Sequence, residues 1–186
     1  MNPFAWSFRA QFALGAAICA ALLGFALYSQ HGSMALNPCP LCILQRIAFA
    51  AMGVAFLLGA VFDPKPRFSP IGQPLKLLRG IFVNGWRKLI ALIVWLFAMA
   101  GAGVAGWHVR MQHLPPSEVP SCSSMDLGYM LEAFPMRKVL EKVFTGSGEC
   151  AQIDWSFLGI SMPGWTLIWY LILGIAALYA GFKRRA

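Results

Sequence analysis

The chain has 186 residues, of which 59% are hydrophobic and only 12% are charged, and its mean hydropathy is +0.64. A soluble globular protein would struggle to bury this much apolar surface, so the composition predicts an integral membrane protein. The formal net charge of +8 is a poor argument for nucleic-acid binding, because the basic residues are concentrated next to apolar stretches, as membrane insertion requires.

Four apolar stretches are long enough to cross a bilayer core, which takes about 20 residues of helix. They run approximately over Phe8–Tyr28, Ile43–Phe62, Leu89–Trp107 and Trp165–Phe182. The first resembles a signal peptide, but its apolar run exceeds the roughly 7–15 residues of a cleaved signal, and we predict that it is retained. The expected fold is an all-α integral membrane protein, a single membrane domain over 1–186 built as a four-transmembrane-helix bundle.

The distribution of charge predicts how these helices are oriented, because short cytoplasmic segments retain Lys and Arg during insertion. The two termini and the loop 63–88 carry ten basic residues against one acid, whereas the loop 108–164 carries four basic and six acidic residues. We therefore place both termini and the loop 63–88 in the cytoplasm, and the loops 29–42 and 108–164 outside it. Four of the five cysteines then share the outer side, where disulfides persist; they are Cys39, Cys42, Cys122 and Cys150.

The outer loop 108–164 is too long for a plain connection, which indicates a function. The sequence around Cys122 is rich in proline and serine and lacks periodicity, so it is predicted to be extended. Residues 136–143 repeat apolar side chains with the spacing of a short interfacial helix. A Thr-Gly-Ser-Gly stretch follows and predicts a hinge directly before Cys150.

Two further features concern packing and the lipid surface. The cytoplasmic loop 63–88 begins with four prolines and then becomes amphipathic, which predicts a segment lying along the membrane. Gly101, Gly103 and Gly106 lie in the third apolar stretch, and small residues let helix backbones approach closely within lipid. We assign these three glycines to helix packing.

The sequence Cys39-Pro40-Leu41-Cys42 lies at the start of the second apolar helix, where Pro40 suits the first turn. Two cysteines at this spacing can form a small disulfide ring or bind a metal. The positive end of the helix and the guanidinium of Arg46, four residues after Cys42, favour the thiolate form of Cys42. Arg46 could simply extend to the interface, but its register with Cys42 favours a role with a thiolate or with the charge on a reduced acceptor.

The four outer cysteines are compatible with two structural disulfides, a four-cysteine zinc site or a thiol–disulfide relay. We expect no metal, because Cys122 and Cys150 do not repeat the C-x-x-C spacing and thiolate ligands compete poorly with oxidation outside the cytoplasm. A structural role would suit this second pair, but it does not explain a tight Cys39–Cys42 pair with Arg46 behind it. A relay explains both pairs. The competing hypothesis is a non-enzymatic membrane protein, such as a transporter or scaffold, whose cysteines only hold its loops together.

Two other residues in the apolar stretches are chemically notable. His108 ends the third stretch on the outer side and could give a proton or a hydrogen bond to a bound acceptor. Cys19 lies in mid-membrane with no partner nearby in sequence, and we expect it to behave as a small apolar residue.

At these residues the chain strongly resembles the disulfide bond formation protein B (DsbB) family, the bacterial inner-membrane quinone reductases that re-oxidise the periplasmic dithiol oxidase DsbA. The resemblance covers nearly the whole chain and combines the four helices with Pro38-Cys39-Pro40-Leu41-Cys42-Ile43-Leu44-Gln45-Arg46, Cys122, Ser147-Gly148-Glu149-Cys150 and Trp155-Ser156-Phe157-Leu158-Gly159. The long basic loop 63–88 departs from the short turn found in many relatives. The resemblance therefore includes the DsbI branch of the family, which has dedicated partners.

The resemblance implies an enzyme, a protein-dithiol:quinone oxidoreductase in the bacterial inner membrane with its active face in the periplasm. Its partners would be a periplasmic DsbA-type thiol oxidase, membrane lipid and a quinone, either ubiquinone or menaquinone. A DsbA-type oxidase has a potential of about −120 mV and needs a still stronger acceptor to re-oxidise it, which a membrane quinone supplies. The re-oxidised partner would support disulfide formation in periplasmic proteins.

The resemblance also implies a role for each site residue. The redox-active pairs would be Cys39–Cys42 and Cys122–Cys150, with Cys122 forming the mixed disulfide with the partner and Cys150 attacking Cys39. Cys42 would then pass electrons to a quinone. Arg46 and His108 would bind that quinone together with Cys42.

Overall fold

A computed structural model describes residues 6–31, 39–63, 73–114, 135, 153 and 155–183, with the backbone alone over 73–81. It contains the helices α1 (Phe8–His31), α2 (Pro40–Val61), α3 (Gln73–Gln112) and α4 (Met162–Phe182), and the strands β1 (Ser156–Phe157) and β2 (Ile160–Ser161). Each helix includes a window that is long and apolar enough to cross a membrane, which in α3 lies within Phe82–Gln112. The predicted four-helix membrane bundle is confirmed.

Helix α3 is longer than the sequence analysis predicted. It starts at Gln73 and has 40 residues, so residues 73–88, which we assigned to the loop before the third helix, continue that helix. The reason is local: Pro74 lies in the first turn, where proline is tolerated, and no further proline interrupts the chain before Gln112. The amphipathic part and the apolar part therefore form one helix. The predicted helix at 136–143, the hinge before Cys150 and the Cys122 segment lie outside the described residues.

One close approach between α3 and α4 lies in the core of the bundle. The rings of Phe49 and Tyr170 stack with their centroids 4.0 Å apart, and Tyr170 is fully buried. Gly101 faces the Tyr170 ring so closely that an added Cβ would overlap it, which confirms the packing role predicted for this glycine. The same prediction is wrong for Gly103 and Gly106, since an added Cβ at either position meets nothing within 4 Å among the described residues.

One end of the bundle carries a set of basic contacts, which we call the basic end. Arg9 donates from Nε to the carbonyl of Ala60 over 2.9 Å. Arg87 makes a bidentate ion pair with Asp63, with Nε 2.7 Å from Oδ1 and Nη2 3.0 Å from Oδ2. The guanidinium of Arg87 also lies 5.3 Å from the centre of the Phe8 ring. These contacts tie the beginning of α1 and the end of α2 to α3. Because the helices run antiparallel, Cys39 and Cys42 lie at the opposite end.

The two strands form a tight hairpin directly before α4, which the sequence analysis did not predict. Ser156 pairs with Ser161 and Phe157 with Ile160, and the two turn residues have positive φ angles of 55° at Leu158 and 77° at Gly159. Two consecutive left-handed residues give a type I′ turn, which matches the twist of a hairpin. Leucine is an unusual residue at the first of these positions because its side chain disfavours that conformation.

Candidate functional site

Cys39 and Cys42 form the first turn of α2. Cys39 is the N-cap residue with φ −68° and ψ 163°, and Pro40 starts the helix. The Sγ atom of Cys39 accepts a hydrogen bond from the backbone N–H of Cys42 over 3.4 Å, and the two Sγ atoms are 3.3 Å apart. The sequence predicts that the positive helix end favours the thiolate of Cys42, but the sulfur that receives this N–H is that of Cys39. The turn thus holds two sulfurs in contact and stabilises negative charge on the first of them.

His108 on α3 lies directly beside this turn. Its Nε2 atom is 3.8 Å from the Sγ atom of Cys39, although the two residues are 69 positions apart in the chain. Only 2% of the histidine is exposed, so it is not the interfacial residue that its position near a helix end could indicate. The structure therefore places an imidazole nitrogen against the sulfur of Cys39.

Gln45 connects His108 to α4, and the sequence analysis assigned it no role. Its side-chain amide contacts His108 Nδ1 over 3.1 Å and the Thr166 hydroxyl over 2.7 Å, while its backbone carbonyl accepts a 2.6 Å bond from the Tyr170 hydroxyl. Only 4% of Gln45 is exposed. One signal was available in the sequence: an amide in an apolar helix, three residues after Cys42, lies on the cysteine's side of that helix.

Arg46 is held by the C-terminal part of α1. Its Nη1 atom donates to Gln30 Oε1 over 2.6 Å, and its Nη2 atom donates to the carbonyl of Ala26 over 3.0 Å. The negative end of the α1 dipole adds to the attraction. A guanidinium has five N–H donors, so these two bonds leave further donors for a ligand. Arg46 is thus fixed inside the bundle rather than extended along its surface.

A cavity of about 330 Å³ opens beside the two cysteines. Its walls are mostly apolar and come from α1, α2, α3, the hairpin region and α4. Four aromatic rings form a continuous wall, with centroid distances of 6.0, 6.0 and 6.2 Å along the series Phe25, Trp155, Phe157 and Trp165. The polar side chains of the lining are Ser29, Cys39, Cys42, Gln45, Arg46, His108, Gln112 and Thr166, together with the indoles of Trp155, Trp165 and Trp169.

The structure brings together four of the residues that the sequence analysis singled out, since Cys39, Cys42, Arg46 and His108 all line this cavity. Cys122 and Cys150 lie outside the described residues, so their pairing and their roles stay predictions. Cys19 is 1% exposed within the main core cluster and faces the backbone of Gly53. That environment suits the small apolar role expected of Cys19.

The position of the two sulfurs is compatible with metal binding and with dithiol chemistry, and the cavity beside them can hold an organic acceptor. The ligating atoms of Cys39, Cys42 and His108 lie within 4.8 Å of one another, a spacing compatible with one metal ion. A dithiol that exchanges electrons and protons needs the same proximity. The apolar walls beside the sulfurs, with Arg46 as a fixed cation, suit a flat apolar molecule whose oxygens accept hydrogen bonds.

These features define a multi-pass membrane protein with a pair of neighbouring cysteines at one end of a four-helix bundle. The family model described as "Disulfide bond formation protein DsbB" matches residues 8–180. The chain therefore belongs to the DsbB family.

Curated relatives match over nearly their whole length. The "Disulfide bond formation protein B" of Xanthomonas axonopodis pv. citri (strain 306) is 44% identical over 185 residues, which cover 100% of this chain and 96% of the relative. The protein of the same name from Xylella fastidiosa (strain 9a5c) is 38% identical over 183 residues, covering 98% of this chain and 95% of the relative. The segment 63–88, which departs from the expected family pattern, lies within both the family match and the alignment to the first relative.

Proposed function

We propose that this protein is a quinone-dependent thiol oxidase that re-oxidises a periplasmic DsbA-type dithiol oxidase and passes the electrons to ubiquinone or menaquinone. The observation that carries the proposal is the position of the Cys39–Cys42 sulfur pair. It opens onto an apolar cavity that also contains the fixed cation Arg46 and the buried His108. Family membership supplies the disulfide chemistry, and the cavity supports the choice of acceptor.

A quinone head group fits the residues that line this cavity. Its volume of about 330 Å³ is at the lower end of the roughly 300–1,000 Å³ found for small-molecule sites, which combine apolar walls with a few convergent polar groups. When bound, a quinone accepts two electrons and two protons. Arg46 would donate hydrogen bonds to an oxygen of the ring and stabilise its negative charge, while the aromatic wall would exclude water.

The cysteines carry the electrons to the cavity by exchange of disulfides. The partner's dithiol reduces the Cys122–Cys150 disulfide and leaves as a disulfide itself. The new dithiol then reduces the Cys39–Cys42 disulfide, and the original Cys122–Cys150 bond forms again. Oxidation of the Cys39–Cys42 dithiol finally releases two electrons and two protons, which is the amount that reduces one quinone.

The arrangement of the two ends of the bundle supports the proposed location. Arg9, Arg87 and Lys88 lie at the basic end, which the positive-inside rule places in the cytoplasm. Cys39 and His108 then face the periplasm of a bacterial inner membrane. An oxidising compartment on that side is where a thiol oxidase would meet its partner.

Single cysteine variants test this function in membranes supplied with quinone and a reduced DsbA-type protein. Cys39→Ser and Cys42→Ala should each abolish quinone-dependent oxidation of the partner, followed by quinone absorbance and by titration of the partner's thiols. Cys19→Ala is the matched control, since Cys19 lies in the core away from the cavity lining, and it should keep turnover. Normal turnover in Cys39→Ser would refute the proposal, and disulfides that all persist under excess reduced partner would favour a scaffold instead.

A further inference from the structure

The polar contacts around Gln45 are compatible with two arrangements of the side-chain amide. The Oγ1 atom of Thr166 lies 2.7 Å from Gln45 Oε1 and 2.8 Å from the carbonyl of Pro163. Both contacts require the hydroxyl to donate, and a hydroxyl has one proton. The oxygen and nitrogen of a glutamine amide have nearly the same shape, so the amide can also turn over within the same space.

In the first arrangement, the Thr166 hydroxyl donates to the oxygen of the Gln45 amide. The amide nitrogen then donates to Nδ1 of His108, so the proton of the neutral imidazole is on Nε2 and faces the sulfur of Cys39. This arrangement presents a hydrogen-bond donor to Cys39 and suits its thiolate.

In the second arrangement, the Thr166 hydroxyl donates to the carbonyl of Pro163 and accepts from the nitrogen of the turned amide. The amide oxygen now accepts from Nδ1–H of His108. Nε2 is then free of the tautomeric proton and can accept one from the thiol of Cys39. The same amide orientation also satisfies the imidazolium that this transfer would create.

We propose that Gln45 is a positioning residue whose side-chain amide turns over so that His108 can take the proton of Cys39 and release it again. The inference rests on the proposed function and concerns the oxidation of the dithiol. In that step the Cys39–Cys42 S–S bond forms, two S–H bonds break and two electrons pass to the quinone. The Cys39 proton leaves through Nε2 of His108 and the Cys42 proton leaves from its own thiol, so the two protons released balance the two that the quinone takes up.

The proposed proton transfer requires a neutral amide at position 45. The titratable or charged residues that line the cavity are Cys39, Cys42 and Arg46 near the start of α2 and His108 on α3. The described lining residues of α1 and α4 include no titratable or charged side chain. The Tyr170 hydroxyl on α4 donates to the Gln45 carbonyl. Arg46 is held by α1. A carboxylate at position 45 would only accept hydrogen bonds, so it would hold His108 with Nδ1 protonated and favour the imidazolium at all times.

The test measures the reactivity of Cys39 without quinone or partner. The reduced full-length protein is treated with iodoacetamide across a range of pH, and the alkylation rate at Cys39 is followed by mass spectrometry. Gln45→Leu should move the midpoint of the rate profile up by about one pH unit, which is a tenfold loss of thiolate at a given pH. Gln45→Glu should move it down, and Thr166→Val should move it up by less.

Gln112→Leu is the matched control, because it removes an amide from the same cavity whose partner is Ser161 rather than His108. Its midpoint should equal that of the wild type. Shifts in opposite directions for Gln45→Leu and Gln45→Glu support the proposal; unchanged midpoints, or shifts in one direction, overturn it. If Gln45→Leu does not fold, ¹⁵N spectra of His108 in the wild type decide the question, since one fixed tautomer across the Cys39 titration would overturn it. The assay contains no quinone, so its result is separate from any failure of quinone-dependent turnover.

Discussion

Replacing Gly101 by alanine tests whether the close approach of α3 and α4 supports the site. A Cβ at this position would lie 2.9 Å from Cδ1 of Tyr170 and still nearer to Cε1 and Cζ. The ring cannot easily move away, because it stacks on Phe49 and its hydroxyl is bonded to the Gln45 carbonyl. A single added methyl group should therefore displace the residue that holds Gln45.

The size of this effect follows from a comparison with two other glycines of α3. Alanine favours a helix over glycine by about 0.8–1 kcal/mol, and this gain applies equally at Gly101, Gly103 and Gly106. An added Cβ at Gly103 or Gly106 meets no atom within 4 Å among the described residues. The difference between the variants is then the cost of overpacking, about 1–3 kcal/mol, or about 2–12 °C in melting temperature for a chain of this length.

Thermal unfolding in detergent, followed by circular dichroism, measures this difference. Gly101→Ala should melt below the wild type and lose quinone-dependent turnover, whereas Gly103→Ala and Gly106→Ala should melt at or above the wild-type temperature. Equal melting temperatures for all three variants would refute the steric argument. A stable Gly101→Ala protein with full turnover would refute the link from Tyr170 to the site.

Three further predictions concern the basic end, the support of Arg46 and the hairpin. Asp63→Asn should destabilise the protein by about 2–3 kcal/mol, because it breaks the ion pair with Arg87. This is less than the cost of breaking a fully buried pair, since the Arg87 side chain keeps 18% exposure. A melting temperature equal to the wild type would contradict this, and adding Arg87→Met should recover part of the loss. Gln30→Leu should raise the KM for quinone by about 10- to 150-fold with a smaller change in kcat, because a hydrogen bond to a charged group contributes about 1.5–3 kcal/mol. An unchanged KM, beside a raised KM in Arg46→Lys, would show that α1 does not position the guanidinium. Leu158→Asn should raise the melting temperature by about 2–4 °C, because asparagine adopts a left-handed conformation at a cost about 1 kcal/mol lower than leucine. Leu158 has a φ of 55°. An unchanged melting temperature would argue against strain in the turn.

The four helices were predictable because each apolar run is long enough to span a membrane and is nearly free of charge. The start of α3 was not, because the stretch before Lys88 is amphipathic and could equally lie on a lipid surface. Whether such a stretch continues a spanning helix depends on the absence of a break, which hydropathy does not measure. Gly101 differs from Gly103 for a similar reason: only the position of Tyr170 on another helix decides which glycine is needed.

The candidate site was predictable where its chemistry is local and hidden where it depends on tertiary contacts. Pro40 between two cysteines at a helix start is visible in the sequence, as is Arg46 one turn later. The sulfur that accepts the N–H depends on the extended backbone of Cys39, which residue spacing does not reveal. His108 reaches Cys39 from 69 residues away, and the polar contacts of Gln45 extend to Thr166, 121 residues away.

The contacts of Gln45 and Arg46 also set an order of assembly. These two adjacent residues of α2 bind α1 through Gln30, α3 through His108 and α4 through Thr166. Because α4 is the last of the four described helices in chain order, the cluster cannot be complete before α4 has entered the membrane. The dithiol turn can form early, but the network that would manage its protons closes only when α4 is inserted, so a partly made chain carries the sulfurs without the assembled site.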